Sequence, residues 1–252
     1  MLRAADEMKG FTIGAADGEI GKVIDLYFDD EKWTVRYLVV DTGGWLTGRQ
    51  VLISPLSVVR MEWYARRIDV KLTKEQVENS PGIEADRPVS RQYEADYFAY
   101  YNYPYYWAGP YVWGPAPLPG LAPRPTDSQT REIVEVQRAS QDVRLRSMRE
   151  VTGYYIEAGD GEMGHVEKFI VDDENWMIRY LVVDTRNWLP GRKVLVSPEW
   201  VESVSWADSR VAVNLSRDAI RRCPEYDPSL PIEHDYEERM HRHYQKQPYW
   251  VP

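Results

Sequence analysis

The chain is short of the residues on which most chemistry depends. It has one cysteine, Cys223, in 252 residues. That excludes an intrachain disulfide and any multi-cysteine zinc site. Four histidines leave little material for a histidine metal cage. Positive charge is in deficit: 31 Lys and Arg against 40 Asp and Glu give a net charge of -9. A general nucleic-acid coat needs the opposite sign, because binding to phosphates is driven by displaced counterions. No Gly-x-Ser-x-Gly elbow, phosphate loop or dinucleotide fingerprint is present. Residues Met1 to Glu7 lack the apolar core and small-residue cleavage site of a signal peptide. With a single unpaired cysteine, this predicts a cytoplasmic protein.

Phenylalanine is scarce as well, with 4 residues against 10 Trp and 18 Tyr. Ten of the aromatics fall in the seventeen residues from Tyr97 to Trp113. From Tyr97 to Pro123 there is no charge at all, and that length would reach across a bilayer. Pro104, Pro110, Pro115, Pro117, Pro119 and Pro123 interrupt it, so no continuous helix survives and no transmembrane segment is expected. The tract has no Lys or Arg, so a stacking platform for single-stranded nucleic acid would lack its electrostatic half. Direct contact with nucleic acid is not expected.

What the chain does have is an internal repeat. A shift of 143 residues aligns its two halves without a gap. Asp29-Asp30-Glu31-Lys32-Trp33 lies over Asp172-Asp173-Glu174-Asn175-Trp176. Arg36-Tyr37-Leu38-Val39-Val40-Asp41-Thr42 recurs unchanged as Arg179 to Thr185. From 18 to 55, 23 of 38 positions are identical. Eight of the ten tryptophans fall into repeat pairs. The expected organisation is one copy over 2–107, a linker over 108–144 and a second copy over 145–250. The linker is proline-rich and aromatic, then polar, with a short helix predicted near 130–138. Its first part reads as a polyproline-type spacer.

Within one copy, short apolar runs separated by turn residues predict strands near 10–14, 22–28, 34–41, 51–53, 58–63 and 67–72. The run 34–41 has apolar residues on both faces, which suits a strand buried on both sides. Thr73-Lys74-Glu75-Gln76 has the spacing of a capping box, and Ser90 is a candidate N-cap for a helix reaching Tyr101. Close turns and five or six strands per copy indicate a small antiparallel barrel, since closure removes sticky edges. The fold class is therefore mainly β: two small antiparallel barrels, each with a short helical, aromatic-rich tail.

Asp-Gly-Glu-Ile-Gly-Lys-Val, then Arg-Tyr-Leu-Val-Val-Asp-Thr and Val-Leu-Ile-Ser-Pro, resemble the PRC-barrel family. The likeness is strongest over 10–72 and 153–215. The family includes the cytoplasmic barrel of photosynthetic reaction-centre H subunits and the C-terminal barrel of the ribosome-maturation factor. The resemblance implies a protein-docking role without catalysis, at the cytoplasmic face of a membrane complex and peripheral to the inner membrane. An adaptor binding a ribosomal protein is the alternative. Neither the H subunit's membrane helix nor the maturation factor's preceding domain is evident in the sequence. A small-molecule or metal-dependent enzyme, the third class, would require a polar cluster that spacing does not display. No catalytic residue, metal or cofactor is expected.

Candidate partner-binding residues come from the repeated loop and the aromatic tract. Trp45 and Arg49 recur as Trp188 and Arg192, and an exposed Trp beside Arg is a typical interface pair. The same pair would also suit a barrel lid, with Trp plugging one end and Arg pairing with an Asp. Tyr111 and Trp113 lie where the tract has no counterpart in the second copy. The expected partners are proteins, with a barrel–barrel pseudo-dimer or a homodimer as further arrangements. The acidic turns at 29–31 and 172–174 lack calcium-loop spacing and read as solvated hairpin turns.

Overall fold

The computed structural model describes residues 1–82, 89–126, 144–185 and 192–251. They divide into two compact units. The first comprises Asp6–Met148 and Glu174–Met177; the second comprises Met1–Ala5, Arg149–Asp173 and Ile178–Pro252. Strands are numbered along the chain, and β1 (Leu2–Ala4) belongs to the second unit.

The first unit is built on one seven-stranded sheet. Its strands are β2 (Thr12–Ala15), β3 (Gly18–Asp29), β4 (Thr34–Asp41), β5 (Gln50–Ile53), β6 (Val58–Glu62) and β7 (Arg67–Val70). β8 (Leu145–Ser147) is the seventh. The order is β5-β4-β3-β2-β7-β6, with β8 paired to β3. β4 is buried at every position but its last, which is why its apolar residues occupy both faces. β3 is twelve residues long and serves three neighbours; bulges between Val23 and Asp25 and between Tyr27 and Phe28 bend it. At the turn after β3, Trp33 takes a positive φ of 48° and stacks on Phe28 at 5.4 Å.

Two features of the expected barrel are corrected. β2 and β7 run parallel, so the sheet is mixed rather than antiparallel. No pairing among the described residues joins β5 to β6, so the sheet is open rather than closed. A reading made turn by turn sees hairpins; it does not register that β7 returns to β2 over some fifty residues.

Two helices follow the sheet. α1 (Lys74–Glu78) starts on a complete capping box: Gln76 N donates to Thr73 Oγ1 at 3.2 Å, and Thr73 N donates to Gln76 Oε1 at 2.9 Å. α2 (Arg91–Tyr101) starts on Ser90, whose hydroxyl accepts from Tyr93 N at 3.2 Å. Tyr97 fastens α2 to β5: its hydroxyl donates to Leu52 O at 3.0 Å and accepts from Ser54 N at 3.2 Å. Beyond α2 the first part of the expected spacer is packed. Tyr111 bridges to Gly114, and Trp113 is fully buried. The helix predicted near 130–138 lies outside the described residues.

The second unit repeats the plan. β9 (Tyr155–Ala158), β10 (Gly161–Asp172), β11 (Ile178–Asp184), β12 (Lys193–Val196), β13 (Val201–Ser205) and β14 (Arg210–Val213) follow in chain order. They lie as β12-β11-β10-β9-β14-β13, with β1 paired to β10 and with β9 and β14 parallel. α3 (Arg217–Arg222) and α4 (His234–Tyr244) stand where α1 and α2 stand in the first unit.

One close approach recurs in both sheets. A Cβ added at Gly21 would overlap the carbonyl oxygen of Asp41, and one at Gly164 that of Asp184. Backbone is the obstacle, so no side chain can swing away. Gly21→Ala is expected to destabilise the first unit by about 3 kcal/mol, at the upper end of overpacking costs. A denaturant titration of the variant checks it; a loss below about 1 kcal/mol would show that the strands can part there.

Candidate functional site

The sheet of the first unit carries a buried charge cluster that its tail closes over. Arg36, from β4, has no exposed surface. Its Nε donates to Asp29 Oδ2 at 2.6 Å, and its Nη1 donates to Val112 O at 2.8 Å. The guanidinium lies 3.7 Å from the Tyr106 ring centroid and 4.8 Å from that of Trp113. Tyr106 therefore packs a buried cation on one face, with Arg91 at 5.3 Å as a second. These contacts explain why aromatic residues are dense after α2: they cover an arginine that water cannot reach.

Glu94, from α2, is the other centre of the cluster. Tyr106 Oη donates to Glu94 Oε1 at 2.8 Å, Tyr37 Oη donates to the same oxygen at 3.2 Å, and Arg91 Nη1 donates to Oε2 at 3.0 Å. Burial holds the Tyr37 and Tyr106 phenols well above their ordinary range, so both remain protonated donors. Burial also pushes the Glu94 carboxyl from its ordinary 4.5 up to about 7, against the pull of Arg91 and the two hydroxyls. Three donors on a buried carboxylate are a means of holding a helix to a sheet and of storing a proton.

The second unit has the same cluster with two substitutions. Arg179 lies 3.9 Å from the Tyr249 ring and its Nη2 donates to Asp172 at 3.4 Å. Tyr180 and Tyr249 donate to Glu237 Oε1 at 2.7 and 3.2 Å. His234 stands where Arg91 would be, and His241 where Phe98 would be. His241 Nε2 lies 3.0 Å from Tyr180 Oη. Burial raises the Glu237 carboxyl and lowers the His241 imidazole.

The partner-binding candidates are placed as follows. Trp45 is half-buried; its Nε1 donates to Ile20 O, and Lys74 Nζ lies 4.4 Å from its ring. Arg49 turns away from the loop tip. Its Nη1 and Nη2 donate to Glu78 O and Ser80 O at 3.0 and 2.9 Å, closing the carbonyl end of α1. Arg192 does the same for α3, donating to Arg221 O at 2.7 Å and to Cys223 O. The Asp partner that a lid would give this arginine is thus replaced by helix carbonyls. Trp188 lies outside the described residues. Tyr111 is 51 % exposed, while its carbonyl accepts from Lys32 Nζ at 3.0 Å. Trp113 is not a surface residue: it is fully buried, and its Nε1 donates to Asn175 O at 2.8 Å. Sequence reasoning missed the Asp29–Arg36–Tyr106–Glu94 cluster, although Asp29, Arg36, Tyr37, Glu94 and Tyr106 all recur at the 143-residue shift.

Residues 2–77 match the PRC-barrel domain. The match covers β1 to β7 and all but the last residue of α1, and the second unit repeats the strand order of the first. The chain is also similar to an uncharacterized protein of Deinococcus radiodurans, with 33% identity over 79 residues. That stretch is 31% of this chain and 28% of the relative, so the chain spans less than a third of the relative's length. Among the described residues, no helix is long and apolar enough to cross a membrane, and no cluster of three or more His, Cys, Asp or Glu is placed to hold a metal ion.

Two outcomes follow for the first unit. Glu94 ionises near 4.5 when unfolded and at about 7 when folded, so its contribution is full below 4.5 and is lost as pH rises through 7. Glu94→Gln should therefore remove up to about 3 kcal/mol of stability change between pH 5 and 8, read as a flatter melting-temperature profile than wild type. An unchanged profile would show that Glu94 ionises normally. Separately, Arg49→Ala should cost about 1–2 kcal/mol by uncapping α1, checked by chemical denaturation.

Proposed function

We propose that the protein is a docking module, in which PRC-type units hold a partner subunit at the cytoplasmic face of a membrane complex. The observation that carries this reading is the hydrogen-bonded loop 41–49 of the first unit. Thr42 Oγ1 donates to Arg49 O at 2.6 Å, Gly48 N donates to Gly43 O at 2.7 Å, and Trp45 and Arg49 fasten the loop to β3 and α1. Its tip is exposed at Gly43, Gly44, Thr47 and Gly48. A loop fixed before binding loses little freedom on binding, which favours recognition. Tyr111, half exposed and held by Lys32, offers an aromatic contact of the kind enriched at interfaces. The family match supports a protein-binding role, and the likeness to reaction-centre H subunits supports the membrane-complex setting.

The test is affinity purification of the full chain at low salt, from its native cells, followed by mass spectrometry. Wild type and two variants, Thr47→Arg and Tyr111→Ala, are compared. The expected result is a membrane-complex subunit retained by wild type and reduced at least tenfold in one variant. Ribosomal proteins retained in the same variant-sensitive way would replace this reading with the ribosome-assembly one. Retention that neither variant alters would overturn the docking surface named here.

A further inference from the structure

Each copy's first strand lies in the unit built from the other copy. Leu2-Arg3-Ala4 and Leu145-Arg146-Ser147 are equivalent at the 143-residue shift, and the family match begins at residue 2. Yet Leu2–Ala4 pairs with Ile170–Asp172 in the second unit, and Leu145–Ser147 pairs with Tyr27–Asp29 in the first. The registers coincide. Leu2 opposes Asp172 as Leu145 opposes Asp29, and Ala4 opposes Ile170 as Ser147 opposes Tyr27. One backbone socket thus occurs twice, filled by equivalent strands.

Side chains explain why the socket on β3 takes the second copy's strand. Ser147 Oγ donates to Asp25 Oδ2 at 2.5 Å, and Asp25 is buried. The equivalent of Ser147 is Ala4, which has no hydroxyl to offer. Arg144 Nη1 donates to Glu31 at 2.5 Å, and the equivalent of Arg144 is Met1. Arg146 Nε donates to Asp30 at 2.9 Å. Two of these three contacts are therefore unavailable to the first copy's own strand. The socket is selective for residues 144–147.

None of these contacts requires the strand to come from the same chain, because a second molecule presents the same atoms. Within one chain the strand is tethered, at an effective concentration on the order of mM. When protein concentration approaches that value, supply from a second molecule conserves each contact and loses only the advantage of the tether. We propose that the protein self-associates by strand exchange, with residues 144–147 of one copy filling the Tyr27–Asp29 socket of a second copy.

The Asp30 N to Arg144 O bond of 2.9 Å makes Leu145 and Asp29 a non-hydrogen-bonded pair, and Ser147 and Tyr27 are the next such pair. Cα atoms in such pairs are about 4.5 Å apart, within reach of a disulfide. The test uses full-length chains carrying Cys223→Ser, where Ser80 is the natural counterpart. One carries Tyr27→Cys and the other Ser147→Cys. They are mixed, unfolded, refolded together near 1 mM, the tether's order of magnitude, and mildly oxidised. The expected result is a covalent heterodimer several-fold more abundant than the dimer either variant forms alone. A chain with both cysteines, refolded dilute, should close its bond internally and remain monomeric. Heterodimer no more abundant than homodimer, or a double variant that does not close, would overturn the proposal. Wild type refolded at the same concentration supplies a readout free of substitutions. It should give a dimer at that concentration that returns to monomer on dilution well below it, and monomer at every concentration would likewise overturn the proposal.

Discussion

An arginine with no exposed surface has to find every charge and hydrogen-bond partner inside the protein, and Arg36 sets that requirement for the first unit. A buried guanidinium without compensation is among the costliest groups a fold can contain. Asp29 neutralises it across the β3–β4 pair, and Val112 O takes a second donor. Tyr106 and Trp113 then exclude water from its faces. The tail that follows α2 is held in place by this need as much as by apolar burial. Such a cluster adds little net stability compared with an apolar core of equal volume. It does make the position of the tail specific, because a displaced ring would leave a charge uncovered.

The two copies satisfy the same requirement differently. The first has Arg91, Phe98 and Trp113 around its carboxylate and arginine. The second has His234 and His241 at the first two positions. Arg179 and Asp172 keep 12 % and 17 % of their side chains exposed, where Arg36 and Asp29 keep 0 % and 3 %. Duplication preserved the ionic pair and the tyrosine lid while changing what surrounds them.

Local signals in the sequence were reliable because local physics produces them. The capping box at Thr73 and Gln76, the cap at Ser90 and the doubly buried strand 34–41 are each decided within a few residues, and each is present as read. Long-range choices were not legible. The parallel pairing of β2 with β7 and the open edges of the sheet depend on contacts that no turn residue announces. β1 was missed because three residues are too few for an alternating pattern. Trp113 illustrates the limit for sites. Without a repeat partner it resembled a surface anchor, but the space over Arg36 decided its place. Arg49 was read as one half of an interface pair beside Trp45, and its spacing from the end of α1 in the fold is what turns it to the helix carbonyls.

The exchanged strands also set an order on synthesis. Leu2–Ala4 leaves the ribosome well before its partner Ile170–Asp172, which follows some 166 residues later. At ordinary elongation speeds that is a wait of roughly 10–30 s. Meanwhile the edge at Tyr27–Asp29 is complete but lacks Leu145–Ser147, so a nascent chain exposes an open strand edge beside a similar unpaired strand. Pairs so distant in sequence slow the search for the native state, since loop-closure entropy is lost before any contact is gained. A polysome crowded with such half-made chains is where neighbouring copies have the longest opportunity to take one another's strands.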